Sequence, residues 1–213
     1  MKIHPMNTAW FLSLGVLASV IASLLGLSLI PNAQLWSLEP VELEDGQQYP
    51  LDPSARIEAG RNVYISLGCL YCHSQQVRPD NYGSDLARGW GNRRSVPLDY
   101  LYDDPHLTGT MRTGPDLFNI GERQPSDTWH HLHLYDPETY SPGSTMPPFP
   151  FLYETYREEE LTPALRAQAY ELPEGFGDEE RFIVPKADAI NLVEYLKSLQ
   201  HSMDLPPEVG PVE

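Results

Sequence analysis

The most apolar stretch of the chain lies close to its N-terminus. Residues 8–30 (TAWFLSLGVLASVIASLLGLSLI) contain no charged side chain. Because a helix rises about 1.5 Å per residue, this run would span roughly 34 Å, enough to cross a hydrocarbon core of about 30 Å. The apolar core of a cleavable signal peptide is shorter, about 7–15 residues, and Pro31 makes Pro31-Asn32-Ala33 a poor cleavage site. The pattern therefore predicts a short N-terminus over 1–6 and an uncleaved membrane anchor over 7–30.

Two amphipathic segments beyond the anchor predict helices. Residues 31–53 hold four prolines and five acidic residues, so this segment is expected to form an extended linker. Ser54 can cap a helix over 55–67, in which apolar residues recur at approximately helical spacing. A second helix is expected over 186–200, where an apolar stripe follows one face of the segment.

The residues between these two helices are rich in Gly, Pro, Tyr and Asp and show little strand alternation. The block 155–185 is strongly charged and predicts an inserted, solvent-facing arm with one helical piece near 163–170. The predicted fold is therefore mainly α. It consists of one N-terminal transmembrane helix, a domain over 54–201 with long loops, and a tail over 202–213.

The charge distribution is strongly asymmetric. The formal net charge is −16, all 30 acidic residues lie beyond the apolar run, and Lys2 is the only charged residue before it. The positive-inside rule then places the N-terminus in the cytoplasm. The acidic domain would repel nucleic acid and anionic lipid headgroups. It would attract a basic protein partner, or the charge simply keeps the domain soluble; both interpretations fit.

The two cysteines, Cys69 and Cys72, are separated by two residues and followed at once by His73. A redox dithiol, half of a zinc site and haem attachment all use this spacing. Zinc would need further Cys or His ligands at matched spacing, and a thioredoxin-like dithiol would follow a strand in a βαβ pattern. Haem attachment needs two thiols at one porphyrin edge and an imidazole beneath the iron. An anchor upstream favours this reading, because c-type haem is attached outside the cytoplasm.

A first helix, the C-x-x-C-H motif, long loops, a late methionine and a C-terminal helix together resemble the class I cytochrome c fold. In that family the two terminal helices cross at a small residue and an aromatic one. The resemblance implies that Gly60 and Tyr64 on the first helix meet Leu192 and Tyr195 on the last. Ordinary amphipathic packing would predict the same contacts.

The residues around these elements are similar to the mono-haem subunit of the cbb-type (C-family) haem–copper oxidases. The matching segments and residues are GRNVYI at 60–65, GCLYCHSQ at 68–75 with Arg78-Pro79, RTGPDL at 112–117, Gly121, Arg123, Trp129, His130, and STMP at 144–147 with Phe149-Pro150. The similarity covers about residues 5–153 and the last helix. The chain departs from the family between 79 and 112 and in the acidic block after 153.

This resemblance implies one covalently bound haem c with His73 as the proximal iron ligand. In class I cytochromes the carbonyl of a G-P-x-L proline accepts the other N–H of that histidine, and Pro115 in Gly114-Pro115-Asp116-Leu117 matches. Arg78 and Arg112 are candidates to pair with the haem propionates, because a guanidinium meets a carboxylate in bidentate fashion. Either arginine could equally form a structural ion pair.

Met146 is the favoured sixth ligand. A thioether raises the reduction potential relative to a second imidazole, and the proline-rich loop around Met146 would present one side chain at a fixed place. Met111 is the second choice, and the adjacent His130-His131 pair is expected at a surface or a subunit contact. The full set of candidates is Met146, Met111, His106, His130, His131 and His133.

The function implied by the resemblance is electron transfer within an oxidase. The expected location is the inner membrane, with the haem domain on the periplasmic side. A soluble cytochrome c or another cytochrome c subunit would donate the electron, and the haem–copper catalytic subunit would accept it and reduce oxygen. The alternatives are the cytochrome subunit of a nitric oxide reductase, a free-standing membrane-tethered shuttle, and a peroxidase-type haem enzyme.

Overall fold

The computed structural model of the chain describes residues 9–173, 182–207 and 209–210. Within them, the helices are α1 (Ala9–Leu35), α2 (Ala55–Ser66), α3 (Ile120–Arg123), α4 (Asp127–Tyr135), α5 (Pro137–Tyr140), α6 (Pro163–Arg166) and α7 (Ala187–Ser198). The strands are β1 (Val41–Glu42), β2 (Gln48–Tyr49), β3 (Tyr153–Tyr156), β4 (Tyr170–Glu171) and β5 (Phe182–Pro185). The expectation of a mainly helical chain with one N-terminal helix of membrane-spanning length is confirmed.

Helix α1 is 27 residues long and continues past Pro31, where the sequence predicted its end. A π-helical turn at Leu25–Leu29 ends two positions before Pro31, and the Ile30 N–H donates to the Leu25 carbonyl. The wider turn relieves the clash that a proline makes in a regular α-helix. By length and composition α1 could cross a membrane. The predicted residues 1–6 lie outside the described part.

The segment expected to be an extended linker is partly folded. Beyond the end of α1, strands β1 and β2 form an antiparallel hairpin in which Val41 pairs with Tyr49. The turn is closed by Asp45, whose carboxylate accepts a 3.0 Å hydrogen bond from the Gln47 N–H. Tyr49 is buried, and its hydroxyl donates a 2.7 Å hydrogen bond to Asp99. The hairpin is therefore attached to the domain that follows it.

Helices α2 and α7 pack across each other and form the centre of the core. They cross at Gly60, where a Cβ atom would lie 1.9 Å from the Asn191 carbonyl oxygen. The rings of Tyr64 and Tyr195 meet edge to face with centroids 5.5 Å apart. Tyr64 and Leu192 belong to the same buried cluster. The predicted contact between the two helices is confirmed, and Gly60 permits the close approach.

The block 155–185 is not wholly a solvent-facing arm. Strands β3, β5 and β4 form a three-stranded antiparallel sheet in that order, and β5 is buried along its length. The helical piece expected near 163–170 is shorter, Pro163–Arg166. A strand buried on both faces shows a short continuous apolar run instead of alternation. The run Phe182–Pro185 is only four residues long and lies in a strongly charged block, so the sequence pattern did not predict a strand there. Residues 174–181 of this block lie outside the described part.

Candidate haem site

A cavity of about 560 Å³ opens between the end of α2, the loop 113–117, helix α4 and the loop 141–149. Its lining is mostly apolar. Cys69, Cys72, His73, Pro115 and Met146 all lie on its wall. Three segments that are far apart in sequence therefore meet at one site.

The C-x-x-C-H motif is placed by the way α2 ends. Gly68 terminates the helix with φ at +73°, a left-handed conformation that glycine adopts without a Cβ penalty. A 3₁₀ turn over Cys69–Tyr71 follows, and the His73 N–H donates a 3.0 Å hydrogen bond to the Cys69 carbonyl. This turn brings both thiols and the imidazole to the same cavity. Burial raises the pKa of the Cys69 thiol to about 11, whereas Cys72 is exposed.

The imidazole of His73 is held by the loop that contains Pro115. Its Nδ1 lies 2.8 Å from the Pro115 carbonyl oxygen. A carbonyl can only accept a hydrogen bond, so this contact makes Nδ1 the protonated nitrogen and leaves Nε2 with a free lone pair. Burial lowers the pKa of His73, partly opposed by the hydrogen bond to Pro115. A neutral imidazole with an available Nε2 is the form that binds a metal.

Met146 reaches the cavity from a loop that has no charged residue between 141 and 151. It is partly buried and packs against the main core. The loop is tied down at its end, where the Phe149 N–H donates a 2.9 Å hydrogen bond to the Leu134 carbonyl. Gly143 turns the chain with φ at +85°. The methionine is thus presented from a braced loop that cannot form a regular helix.

The remaining candidates for the sixth ligand divide into two groups. His130 and His133 lie on the cavity wall, whereas Met111, His106 and His131 do not. The Nε2 of His130 is occupied by the Gln124 carbonyl at 2.8 Å. Burial lowers the pKa of His133 to about 4, with His130 and His73 adding to the shift.

The expectation that the His130-His131 pair lies at a surface or a subunit contact is wrong, because both side chains are buried within this chain, at 2% and 3% exposure. Consecutive helical residues point about 100° apart, so both are buried only where a helix is covered on two sides. Helix α4 faces the cavity with His130. On its other side His131 packs against the rings of Tyr153 and Tyr170.

Arg78 and Arg112 do not lie on the cavity wall. Both guanidinium groups bind the carboxylate of Asp85. Arg112 reaches it at 2.7 and 2.8 Å, and Arg78 at two distances of 3.1 Å. These contacts favour the structural ion pair over pairing with haem propionates.

Two polar groups on the cavity wall have no partner among the described residues. The Nε of Arg123 and the Nδ1 of His133 are buried and make no hydrogen bond within that part of the chain. Burial also lowers the pKa of Arg123. Leaving such groups unsatisfied costs about 1–3 kcal/mol each. The Arg123 guanidinium, which also donates to the Asp116 carbonyl, is therefore a candidate to pair with an acceptor bound in the cavity, and the neutral His133 ring with a donor or an acceptor. Haem propionates are acceptors of this kind, and the residues present therefore fit a haem. Sequence reasoning gave Arg123 no role, since its spacing from Pro115 does not reveal where its side chain points.

Comparison with known proteins agrees with this geometry. The model of one protein family, described as "Cytochrome C oxidase, mono-heme subunit/FixO", matches residues 7–200. The match includes the apolar helix, the C-x-x-C-H motif, the Met146 loop and helix α7. The comparison with curated proteins found no match.

Proposed function

The chain belongs to the family of cytochrome c oxidase mono-haem subunits, and we propose that it passes electrons through one covalently bound haem c to the catalytic subunit of such an oxidase. The observation that carries the proposal is the grouping of Cys69, Cys72, His73 and Met146 on one cavity, with Nδ1 of His73 held 2.8 Å from Pro115. A haem bound there supplies an iron that cycles between the ferric and ferrous states.

The protein holds the haem at three kinds of contact. The thiols of Cys69 and Cys72 are the attachment points at one porphyrin edge. Nε2 of His73 would bind the iron, and the hydrogen bond to Pro115 would make that imidazole a stronger donor. Met146 would supply the second protein ligand, which disfavours a role in binding oxygen, and a thioether ligand raises the reduction potential. Arg123 and His133, on the cavity wall, would be the groups nearest in chemistry to the propionates.

The hairpin supports a position of the domain close to the membrane surface. Only residues 36–40 separate α1 from β1, and Tyr49 at the end of β2 is hydrogen-bonded to Asp99 and to His201. The tether is therefore short and its far end is fixed to the domain. We place α1 in the inner membrane against the large subunit and the haem domain on the periplasmic side, where c-type haem is attached.

The electron donor in this scheme is a soluble cytochrome c or another cytochrome c subunit, and the acceptor is the haem–copper subunit. The net charge of −16 supports a donor with a basic docking surface. The family match supports oxygen as the final acceptor over nitric oxide.

The test is to purify the complex from its native membrane through a tag on this chain. We expect a spectrum with both c-type and b-type haem, and a large haem–copper subunit in the preparation. A monomeric c-type protein without b-type haem would contradict the oxidase-subunit role. Cys72→Ser should weaken covalent haem attachment, and unchanged haem staining on a denaturing gel would refute the role of that thiol.

A further inference from the structure

The loop that carries Pro115 is bonded to the stretch that follows the haem motif. The Gly114 N–H donates to the Cys72 carbonyl at 2.9 Å, and the Leu117 N–H donates to the Ser74 carbonyl at 2.8 Å. The contact between His73 and Pro115 lies between these two hydrogen bonds. Its length therefore depends on how firmly the two stretches are held together.

Asp116 makes the first set of hydrogen bonds between the Pro115 loop and the stretch after the haem motif. Its carboxylate is completely buried and accepts from the Ser74 hydroxyl at 2.6 Å and from the Gln76 N–H at 2.8 Å. It also accepts from the Phe118 N–H at 2.8 Å. Asp116 directly follows Pro115, so these hydrogen bonds fix the backbone next to the carbonyl that accepts from His73.

Arg112 makes a second set of hydrogen bonds between the same two stretches. Its Nε donates to the Ser74 hydroxyl at 2.8 Å, and its Nη2 donates to the Gln76 carbonyl at 2.6 Å. The guanidinium thus reaches from the Pro115 loop back to the stretch after His73. A flexible arginine side chain holds such a position only when something orients it.

Asp85 supplies that orientation. It accepts two hydrogen bonds from Arg112, at 2.7 and 2.8 Å, and its own side chain is only 1% exposed. The same carboxylate accepts from the backbone N–H of Arg78 at 2.8 Å and from its guanidinium at two distances of 3.1 Å. Arg78 belongs to the stretch after the haem motif and Arg112 to the Pro115 loop, so Asp85 binds a residue of each stretch. The ring of Trp90, 5.1 Å from the Arg112 guanidinium carbon, covers the cation.

Asp85 lies between the haem motif and the Pro115 loop and belongs to neither of them. We propose that Asp85 is a positioning residue for His73, acting through Arg112 and Arg78. Its carboxylate holds Arg112 across the two stretches and so fixes the hydrogen bond from His73 Nδ1 to Pro115. This inference rests on the proposed function, because it concerns the imidazole that would bind the iron.

Asp85→Asn tests the role. The amide keeps the size of the side chain but loses the charge and one acceptor oxygen, so Arg112 and Arg78 are no longer both held. The Nδ1 proton of His73 should then exchange with water at least about tenfold faster. The reduction potential should rise, because a weaker hydrogen bond makes the imidazole a poorer donor to the ferric iron.

The measurement uses the full chain with its haem, in detergent micelles and reduced, with ¹⁵N in the histidine rings. Exchange of the His73 ring proton is followed by NMR, and the potential by optical titration. Asp99→Asn is the matched control. Asp99 is equally buried and paired with Arg93, 2.7 Å away, in a separate ion pair. It should destabilise the domain to a similar extent and leave the exchange of the His73 proton unchanged.

Faster exchange in Asp85→Asn and not in Asp99→Asn supports the proposal. Equal exchange in Asp85→Asn and the unsubstituted chain, or equal acceleration in both variants, overturns it.

If Asp85→Asn does not take up haem, Arg112→Lys decides the question, since lysine keeps the charge but cannot reach Asp85, Ser74 and Gln76 together. Faster exchange in Arg112→Lys supports the proposal, and unchanged exchange overturns it. Absence of haem from the unsubstituted chain would instead contradict the proposed function.

Discussion

Gly114 leaves no room for a side chain beside the imidazole of His73. A Cβ atom at position 114 would lie 2.3 Å from Cε1 of the ring and 2.8 Å from Nδ1. Contacts this short cannot persist, and the ring has little freedom to move because Pro115 holds its Nδ1. The absence of a side chain at position 114 is thus what allows the Pro115 loop to approach His73.

Gly114→Ala should therefore displace His73 while leaving the thiols of Cys69 and Cys72 available. We expect covalent haem to remain, the domain to lose roughly 2 kcal/mol of stability through overpacking, and the spectrum to show altered axial ligation. Thermal unfolding and the optical spectrum of the ferric protein measure the two effects. Gly15→Ala, which adds the same methyl group where no atom lies within 4 Å, is the control and should change neither. A normal spectrum in Gly114→Ala would show that the site tolerates the methyl group.

Met146→His should keep the haem attached and lower its reduction potential, because imidazole stabilises ferric iron more than a thioether does. The weak red absorption band of methionine-ligated ferric haem should disappear. Met111→His is the control, since Met111 is 55% exposed and lies off the cavity wall. Loss of the band in the Met111 variant alone, or its survival in the Met146 variant, would identify Met146 as a packing residue.

Arg123→Gln removes the buried guanidinium whose Nε lacks a protein partner. If that group pairs with a propionate, its loss removes a positive charge beside the haem and favours the ferric state. We expect the reduction potential to fall by about 60 mV, the equivalent of a tenfold change for a one-electron couple. Arg56→Gln removes an exposed arginine whose guanidinium lies 4.0 Å from Glu194, and it should leave the potential unchanged. Equal potentials in the two variants would contradict the pairing of Arg123 with haem.

Acid should destabilise the attachment of the hairpin through His201. The Nδ1 of this histidine lies 2.7 Å from the Tyr49 hydroxyl, and its ring stacks on Phe118. Burial lowers the pKa of His201 from 6.5 to about 4, which Asp99 partly opposes and Arg93 reinforces. Below pH 6.5 the unfolded chain binds a proton that the folded chain does not, so the stability from this group is complete above pH 6.5 and falls as the pH approaches 4.

Between pH 7 and pH 5 the loss attributable to His201 is on the order of 2 kcal/mol. Denaturation of the unsubstituted chain and of His201→Gln at both pH values measures it. The variant should lose less stability than the unsubstituted chain over this interval. Parallel curves for the two proteins would exclude His201 as the titrating group.

The local features of the chain could be read from the sequence because each depends on neighbouring residues. The uncharged run from Thr8 predicts α1, although the helix continues past Pro31 to Leu35. Ser54 and Gly68 delimit α2 within a residue of the predicted bounds. The spacing of Cys69, Cys72 and His73 places all three on one turn. These elements follow from helix geometry and capping chemistry, which operate over a few residues.

What only the tertiary structure decided is which distant groups meet. Asp85 and Arg112 are 27 positions apart, and Tyr49 and His201 are 152 apart. Nothing in the sequence spacing indicates that Asp85 binds Arg78 and Arg112, that Arg123 lies on the cavity wall, or that the hairpin is bonded to Asp99 and His201. The burial of His130 and His131 was likewise mispredicted. The haem motif consists of five consecutive residues, so its spacing can be read from the sequence. The contacts that hold His73 in place depend on the conformation of the long loops that pack over the core, and the sequence pattern does not predict that conformation.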